Sequence, residues 1–381
     1  MSQTSQLTFI NRGSASYVIR VDSNGQNETT FNHDPSFVLK GNLYGKDFDT
    51  YKWNKRHMEG LVQEHFTSSP FVTNIYSQCA YSFLAPLSPG GSLYDYIVSM
   101  KYFGTPQLSA VDKLKIAIHL ASGLAAVHDL KGSVPNATLT SAYAHNDLDT
   151  NQYIFHEGVF QLTDFNYGKM NVKRYSDGNV NACFQSPGMH PYLFRSPEDL
   201  AYAFAASIQE DEDNSLSGNN VTDRMVAEVV NGKDNAFDYS KSDVFNLGSA
   251  IHAMWSLQWM WNNDNCYNNL VQLLKGERPS LNVTAVAAKE GNVDDKTVLK
   301  AHTAIAKAIQ LCWIHDPLER PTAEHVVTYL KQHLVEILGL GSEKDITLPH
   351  LQLDLPRPTK PNNGAKQGDD VDADFQRVLR L

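Results

Sequence analysis

The chain has 381 residues, enough for one large domain or two ordinary ones. An apolar fraction of 42% and a charged fraction of 19% describe a folded protein, not a disordered one. The formal charge of −10 argues against a duplex nucleic-acid partner, and four widely spaced cysteines without a CxxC pair argue against a zinc site or disulfide framework.

In chain order, residues 7 to 85 read mainly as short strands with one helix. Leu7 to Ile10 and Tyr17 to Val21 flank a polar turn, and Phe37 to Lys40 is a further strand. Residues 50 to 66 carry Trp53, Met58, Leu61, Val62 and Phe66 on a ragged apolar helical face. Two more strands are expected, at Phe71 to Tyr76 and at Tyr81 to Leu84, before the loop signal Ser88-Pro89-Gly90-Gly91. Beyond it the pattern turns helical: Leu114, Ile116, Ala117, Leu120, Leu124 and Val127 recur at helical spacing between Asp112 and His128, and residues 222 to 335 hold further helical stretches. The pattern is that of a two-part α+β protein. Acidic residues 209 to 220 suggest a solvated insertion, and the Pro-, Lys- and Asp-rich chain from about residue 342 suggests a flexible tail. Met1 to Ser5 lacks the basic and apolar regions of a signal peptide, and no apolar run nears the roughly 20 residues of a membrane span. The expected location is cytoplasmic. Four N-x-Thr triplets, at Asn27, Asn136, Asn220 and Asn282, are no more than this composition yields by chance.

The richest chemistry lies in His145-Asn146-Asp147-Leu148-Asp149-Thr150-Asn151-Gln152 and in Leu162-Thr163-Asp164-Phe165-Asn166. Two aspartates stand one hairpin apart, each in a polar loop flanked by strand-like residues. Phosphoryl transfer requires such a pair: one carboxylate orients the attacking hydroxyl, and another holds magnesium against the phosphates.

These runs resemble the catalytic loop and metal-binding triplet of protein kinases, His-Arg-Asp-x-x-x-x-Asn and Asp-Phe-Gly. Other segments follow in the family's order. Ile10 to Val18 resembles the nucleotide loop, keeping only its middle glycine, Gly13. Lys40 looks like the strand lysine that contacts the α- and β-phosphates, and Glu59, nineteen residues on, like its helical partner. Leu84 to Leu93 resembles the last strand and hinge, with Ala85 behind the adenine. Arg195-Ser196-Pro197-Glu198 resembles Ala-Pro-Glu, and Ser242 to Gly248 the Asp-Val-Trp-Ser-Leu-Gly helix. Leu311 to Pro321 is similar to the Cys-Trp-x-x-Asp-Pro-x-x-Arg-Pro segment of tyrosine and tyrosine-like kinases, which implies an ion pair between Glu198 and Arg320.

The resemblance implies a two-lobed protein-kinase-like fold. A small β-rich N-lobe with one main helix would span 1–85, a hinge 86–92, a larger α-helical C-lobe 93–340 with an insertion at about 205–238, and a tail 341–381. It implies ATP and Mg²⁺ as cofactors and a protein hydroxyl as acceptor. Asp147 would be the catalytic aspartate and His145 its brace; Lys40 and Glu59 would complete the catalytic set. Ile10, Gly13, Val18, Lys40, Ala85 and Leu87 would bind nucleotide, and Asp164 and Gln152 the metal. No nucleic-acid partner and no membrane span are implied.

The departures are specific. Asn146 replaces the arginine that pairs with an activation-loop phosphate. Asp149 stands where many serine/threonine kinases have a lysine. Gln152 replaces the metal-binding asparagine, its extra methylene shifting the carbonyl by roughly 1.5 Å. Asn151, beside it, is expected to point elsewhere. Asn166 replaces glycine, where asparagine can partly imitate glycine's backbone freedom. A pseudokinase that binds nucleotide without transfer, and a small-molecule kinase on the same scaffold, stay open beside the active protein kinase. The aromatic cluster Met254-Trp255 and Trp259-Met260-Trp261 is expected to pack rather than bind, and the helix holding His119 and His128 to support the catalytic loop from behind.

Overall fold

The computed structural model describes residues 6–12, 16–22, 37–42, 50–79, 82–130, 141–170, 173–176, 179–182, 195–200, 238–260, 272–290 and 295–358. Gly13, nearly all of the expected 205–238 insertion and residues 359–381 lie outside them.

The fold is α+β. The N-terminal part is a five-stranded antiparallel sheet in the order β1-β2-β3-β5-β4, formed by Gln6–Arg12, Ser16–Asp22, Phe37–Asn42, Ser82–Pro86 (β5) and the edge strand Ser77–Cys79 (β4). Register places Val18 opposite Lys40, and Lys40 opposite Phe83, so the central strand β3 carries Lys40 between two apolar neighbours. Helix α1, Thr50–His65, follows β3 and turns Glu59 and Val62 inward.

The expected strand at Phe71 to Tyr76 does not form. Leu162 of a later hairpin captures this segment instead: Leu162 N–H donates to the Phe71 carbonyl at 2.8 Å, and Thr73 N–H to the Leu162 carbonyl at 2.9 Å. The edge strand therefore starts only at Ser77. The segment runs so close to the central helix that a Cβ on Gly123 would meet the Phe71 carbonyl at 2.8 Å, which explains a glycine inside that helix.

The C-terminal part is helical. Helix α2, Leu93–Tyr102, was not among the expected elements, although Leu93, Tyr96, Ile97 and Met100 stand at helical spacing and are buried; Ser92 and Asp95 form a capping box at its start. Helix α3, Ala110–His128, is buried almost all round, as its largely apolar sequence requires. It packs against α4 (Tyr239–Ser256), α6 (Lys296–Cys312) and α7 (Ala323–Leu338), with the short α5 (Val283–Lys289) against α6. Trp255 is buried at the centre, as expected of a packing aromatic, and donates to His302 Nδ1 at 3.0 Å. Between α3 and α4 lie β6 (Tyr143–Ala144), the hairpin β7 (Tyr153–His156) and β8 (Val159–Leu162), β9 (Lys169–Met170), and a second hairpin, β10 (Lys173–Ser176) and β11 (Asn179–Ala182).

Residues 342–358, expected as part of a flexible tail, are docked on the helical part, and that expected tail from 359 on lies outside the described residues. Residues 342–358 run back along α3 and include a short helix, α8, Leu348–Leu351. Leu351 and Leu353 are buried, the Leu351 carbonyl accepts from His119 Nε2 at 2.9 Å, and Leu353 N–H donates to the Gly158 carbonyl at 2.9 Å. Composition misled here because two leucines and these two hydrogen bonds, not the many prolines and charges, anchor the segment. Burial pushes His119 down to about 3, so its ring stays neutral while Nδ1 accepts from Phe160 N–H. Among the described residues no helix is long and apolar enough to cross a membrane.

Candidate active site

Strand β3, helix α1 and the turn after β8 bring three distant charges together. Lys40 Nζ lies 2.8 Å from Glu59 Oε1 and 2.7 Å from Asp164 Oδ1. Glu59 is fully buried, whereas the Asp164 side chain keeps 30% of its surface open to solvent. The lysine also sits over the Phe83 ring, 5.6 Å from its centroid. One ammonium is thus shared by a buried carboxylate and a partly solvent-exposed one.

Asp164 takes the left-handed backbone conformation, φ 62°, just before the 3₁₀ turn Phe165–Tyr167. Aspartate tolerates that region better than most residues. Asn166 does not adopt positive φ, so the expected imitation of glycine's freedom is not used. Its side chain acts instead: Nδ2 donates to Asp164 Oδ1 at 2.5 Å, while its buried Oδ1 has no partner among the described residues. The turn is held by Tyr143 OH, which donates to the Phe165 carbonyl at 3.0 Å.

The loop carrying Asp147 is anchored from beneath. Asp243, fully buried on α4, accepts from His145 N–H at 2.6 Å and from Asn146 N–H at 2.8 Å, and meets His128 Nε2 at 3.0 Å. These bonds bend the chain at Asn146, which is left-handed at φ 59°, a conformation asparagine accepts readily. His145 ties this loop to the next one. Nε2–H donates to the Thr163 carbonyl at 2.9 Å, Nδ1 accepts from Asp147 N–H at 3.3 Å, and burial lowers the ring's pKa, keeping it neutral. The expected support from the helix holding His128 comes through Asp243, which sequence reasoning did not read as an anchor because its partners lie about a hundred residues away.

Asp147 is nearly buried, and Gln152 Nε2 donates to its Oδ2 at 3.4 Å. Gln152 is buried while Asn151 is exposed, as the sequence suggests, although a 3₁₀ turn (Thr150–Gln152) rather than a strand sets the difference. Asp149 caps that turn, accepting from Asn151 N–H at 2.5 Å. Desolvation pushes its carboxyl up to about 6. Its work is thus local to the loop.

Of the expected nucleotide contacts, Val18 is the cross-strand neighbour of Lys40, Ala85 is buried opposite Val38, and Leu87 follows directly on β5. Ile10 lies on the edge strand β1, 45% exposed. The residues after β5 reach the hairpin through Phe155 N–H, which donates to the Gly91 carbonyl at 2.9 Å.

Among the described residues no group of three or more His, Cys, Asp and Glu side chains is arranged to hold a metal ion. Magnesium, however, is commonly held by one or two carboxylates plus substrate phosphates and water. The accessible Asp164 carboxylate and Asn166 Oδ1, which has no partner among the described residues, are oxygen groups of the kind such an ion takes; the Gln152 amide, a third by chemistry, is bonded through its nitrogen to Asp147.

The distal ion pair implied by the sequence forms. Arg320 NH1 and NH2 reach Glu198 Oε1 and Oε2 at 2.5 and 3.1 Å, with both residues buried. A scan against protein-family models finds no match to this chain, and a search of curated proteins finds none either.

Proposed function

We propose that the chain is an ATP- and magnesium-dependent protein kinase. The observation that carries this reading is the convergence of Lys40, Glu59 and Asp164 within hydrogen-bonding distance across 124 residues of sequence. One ammonium held between a buried and an accessible carboxylate is suited to a triphosphate with its cation.

In this reading Glu59 orients Lys40, and Lys40 holds the α- and β-phosphates. Asp164, with Gln152 and Asn166 as oxygen donors beside it, would hold magnesium, which when bound neutralises the phosphate charge. Asp147 aligns the acceptor hydroxyl in line with the γ-phosphorus and takes its proton. Val18, Ala85 and Leu87 would face the base, with Ile10 and Gly13 over the nucleotide. A protein hydroxyl is the proposed acceptor, because the segments around Glu198 and Arg320 resemble the protein-kinase helical part rather than that of a small-molecule kinase.

A second reading, a nucleotide-binding scaffold without transfer, is favoured by one contact: the Gln152 amide N–H donates to Asp147 Oδ2, occupying an oxygen of the carboxylate that would take the acceptor's proton. The experiment is γ-phosphate transfer from labelled Mg-ATP to a degenerate pool of Ser-, Thr- and Tyr-containing peptides. Transfer to at least one acceptor class is expected. Saturable Mg-ATP binding without transfer to any of them would move the chain to the scaffold reading.

A further inference from the structure

Resting on the phosphotransferase reading, we propose that Arg195 is a positioning residue for Asp147 and supplies the positive charge that position 149 does not. The catalytic loop itself carries no cation: Asn146 and Asp149 occupy the places where basic residues would stand. Arg195 comes from a separate segment, immediately before the Pro-Glu motif. Its guanidinium is almost fully buried, with NH1 donating to the Asn146 carbonyl at 2.9 Å and NH2 lying 3.7 Å from Asp147 Oδ1. NH1 is also 4.0 Å from Asp199 Oδ2.

The geometry has two consequences. The bond to the Asn146 carbonyl braces the left-handed residue that aims Asp147. The second nitrogen places positive charge beside the carboxylate in a poorly solvated site, where charge is least screened. Asp199 does not depend wholly on Arg195. Ser242 Oγ also donates to its carboxylate. Arg195 therefore has a part to play toward Asp147 beyond neutralising Asp199. Because Arg195 reaches the loop from the segment before Glu198, the position of that segment sets whether the charge is in place.

The test separates charge from bracing. Arg195→Lys keeps the charge, while Arg195→Gln keeps a donor for the Asn146 carbonyl without it. Steady-state γ-phosphate release from Mg-ATP gives kcat, and a fluorescent ATP analogue gives nucleotide affinity. Arg195→Gln is expected to lower kcat about 100-fold, the scale of losing one preorganised electrostatic contact, with nucleotide affinity within about threefold. Arg195→Lys is expected to recover most of the loss, though not all, since lysine lacks the planar fork. If Arg195→Gln does not fold, Arg195→Gln/Asp199→Asn, which keeps the local charge balanced, takes its place with the same expectation. The proposal is overturned if the glutamine variant turns over like wild type, or if the lysine variant is as slow as the glutamine one. Wild-type chain that binds Mg-ATP without turnover overturns it while leaving the nucleotide site standing; no binding at all overturns the phosphotransferase reading with it.

Discussion

Arg320→Ala is expected to lose about 3–5 kcal/mol of stability, the usual cost of stripping one partner from a buried ion pair. The guanidinium satisfies more than Glu198. Its Nε donates to the Ile314 carbonyl at 3.0 Å, NH1 to the Lys241 carbonyl at 2.5 Å and NH2 to the His315 carbonyl at 3.3 Å, while its plane lies 5.1 Å from the Phe245 ring centroid. Truncation leaves a buried carboxylate and three carbonyls without their donor. Since folded domains are stable by only about 5–15 kcal/mol, much of the margin is lost. Glu198→Ala should cost a similar amount, and the double variant Glu198→Leu/Arg320→Met much less than the sum, because no unpaired charge remains. Urea denaturation of all three variants checks this. Single variants within 1 kcal/mol of wild type would show that the pair is not what holds the segment from Arg195 to Leu200 against the chain between α6 and α7.

Asp147→Asn is expected to lower phosphate transfer about a thousandfold, within the range for a positioned general base, with little change in Mg-ATP affinity. Asparagine is isosteric and keeps an oxygen for the Gln152 amide, and the loop's anchors on Asp243 and Thr163 involve backbone groups and His145 rather than the Asp147 carboxylate. The fold should therefore persist, and the loss should fall on kcat. A kcat within threefold of wild type would remove Asp147 from the chemistry.

How far these residues could be read from the sequence depended on the kind of signal each carried. Lys40, Glu59 and Asp164 were legible because their chemical types stand in order between recognisable strands and a helix, and the structure brings all three into contact. The Glu198–Arg320 pair was legible for the same reason. Arg195 and Asp243 were not read as parts of the loop's support, and His128 only as a member of the helix behind it. Their significance lies in contacts spanning 49 to 115 residues, which periodicity cannot register. Asn166 was read through its backbone, yet it works through its side chain, since the left-handed residue is Asp164. The apolar run from Phe71 read as a strand because apolar content reports burial, not the partner; Leu162 and the sheet edge compete for that segment, and Leu162 wins. The segment from 342 to 358 read as a tail because Leu351 and Leu353 are sparse among polar residues, though they suffice to dock it.

The central claim is that Lys40 and Asp164 face one nucleotide-binding cleft. Calorimetric titration of the chain with ATP, first with Mg²⁺ and then with EDTA, tests it most directly. The account predicts saturable one-to-one binding with Mg²⁺ that weakens at least about tenfold when the metal is removed, a difference of about 1.4 kcal/mol, and that is lost in Lys40→Met. Absence of binding under both conditions, or equal binding by wild type and Lys40→Met, would contradict it.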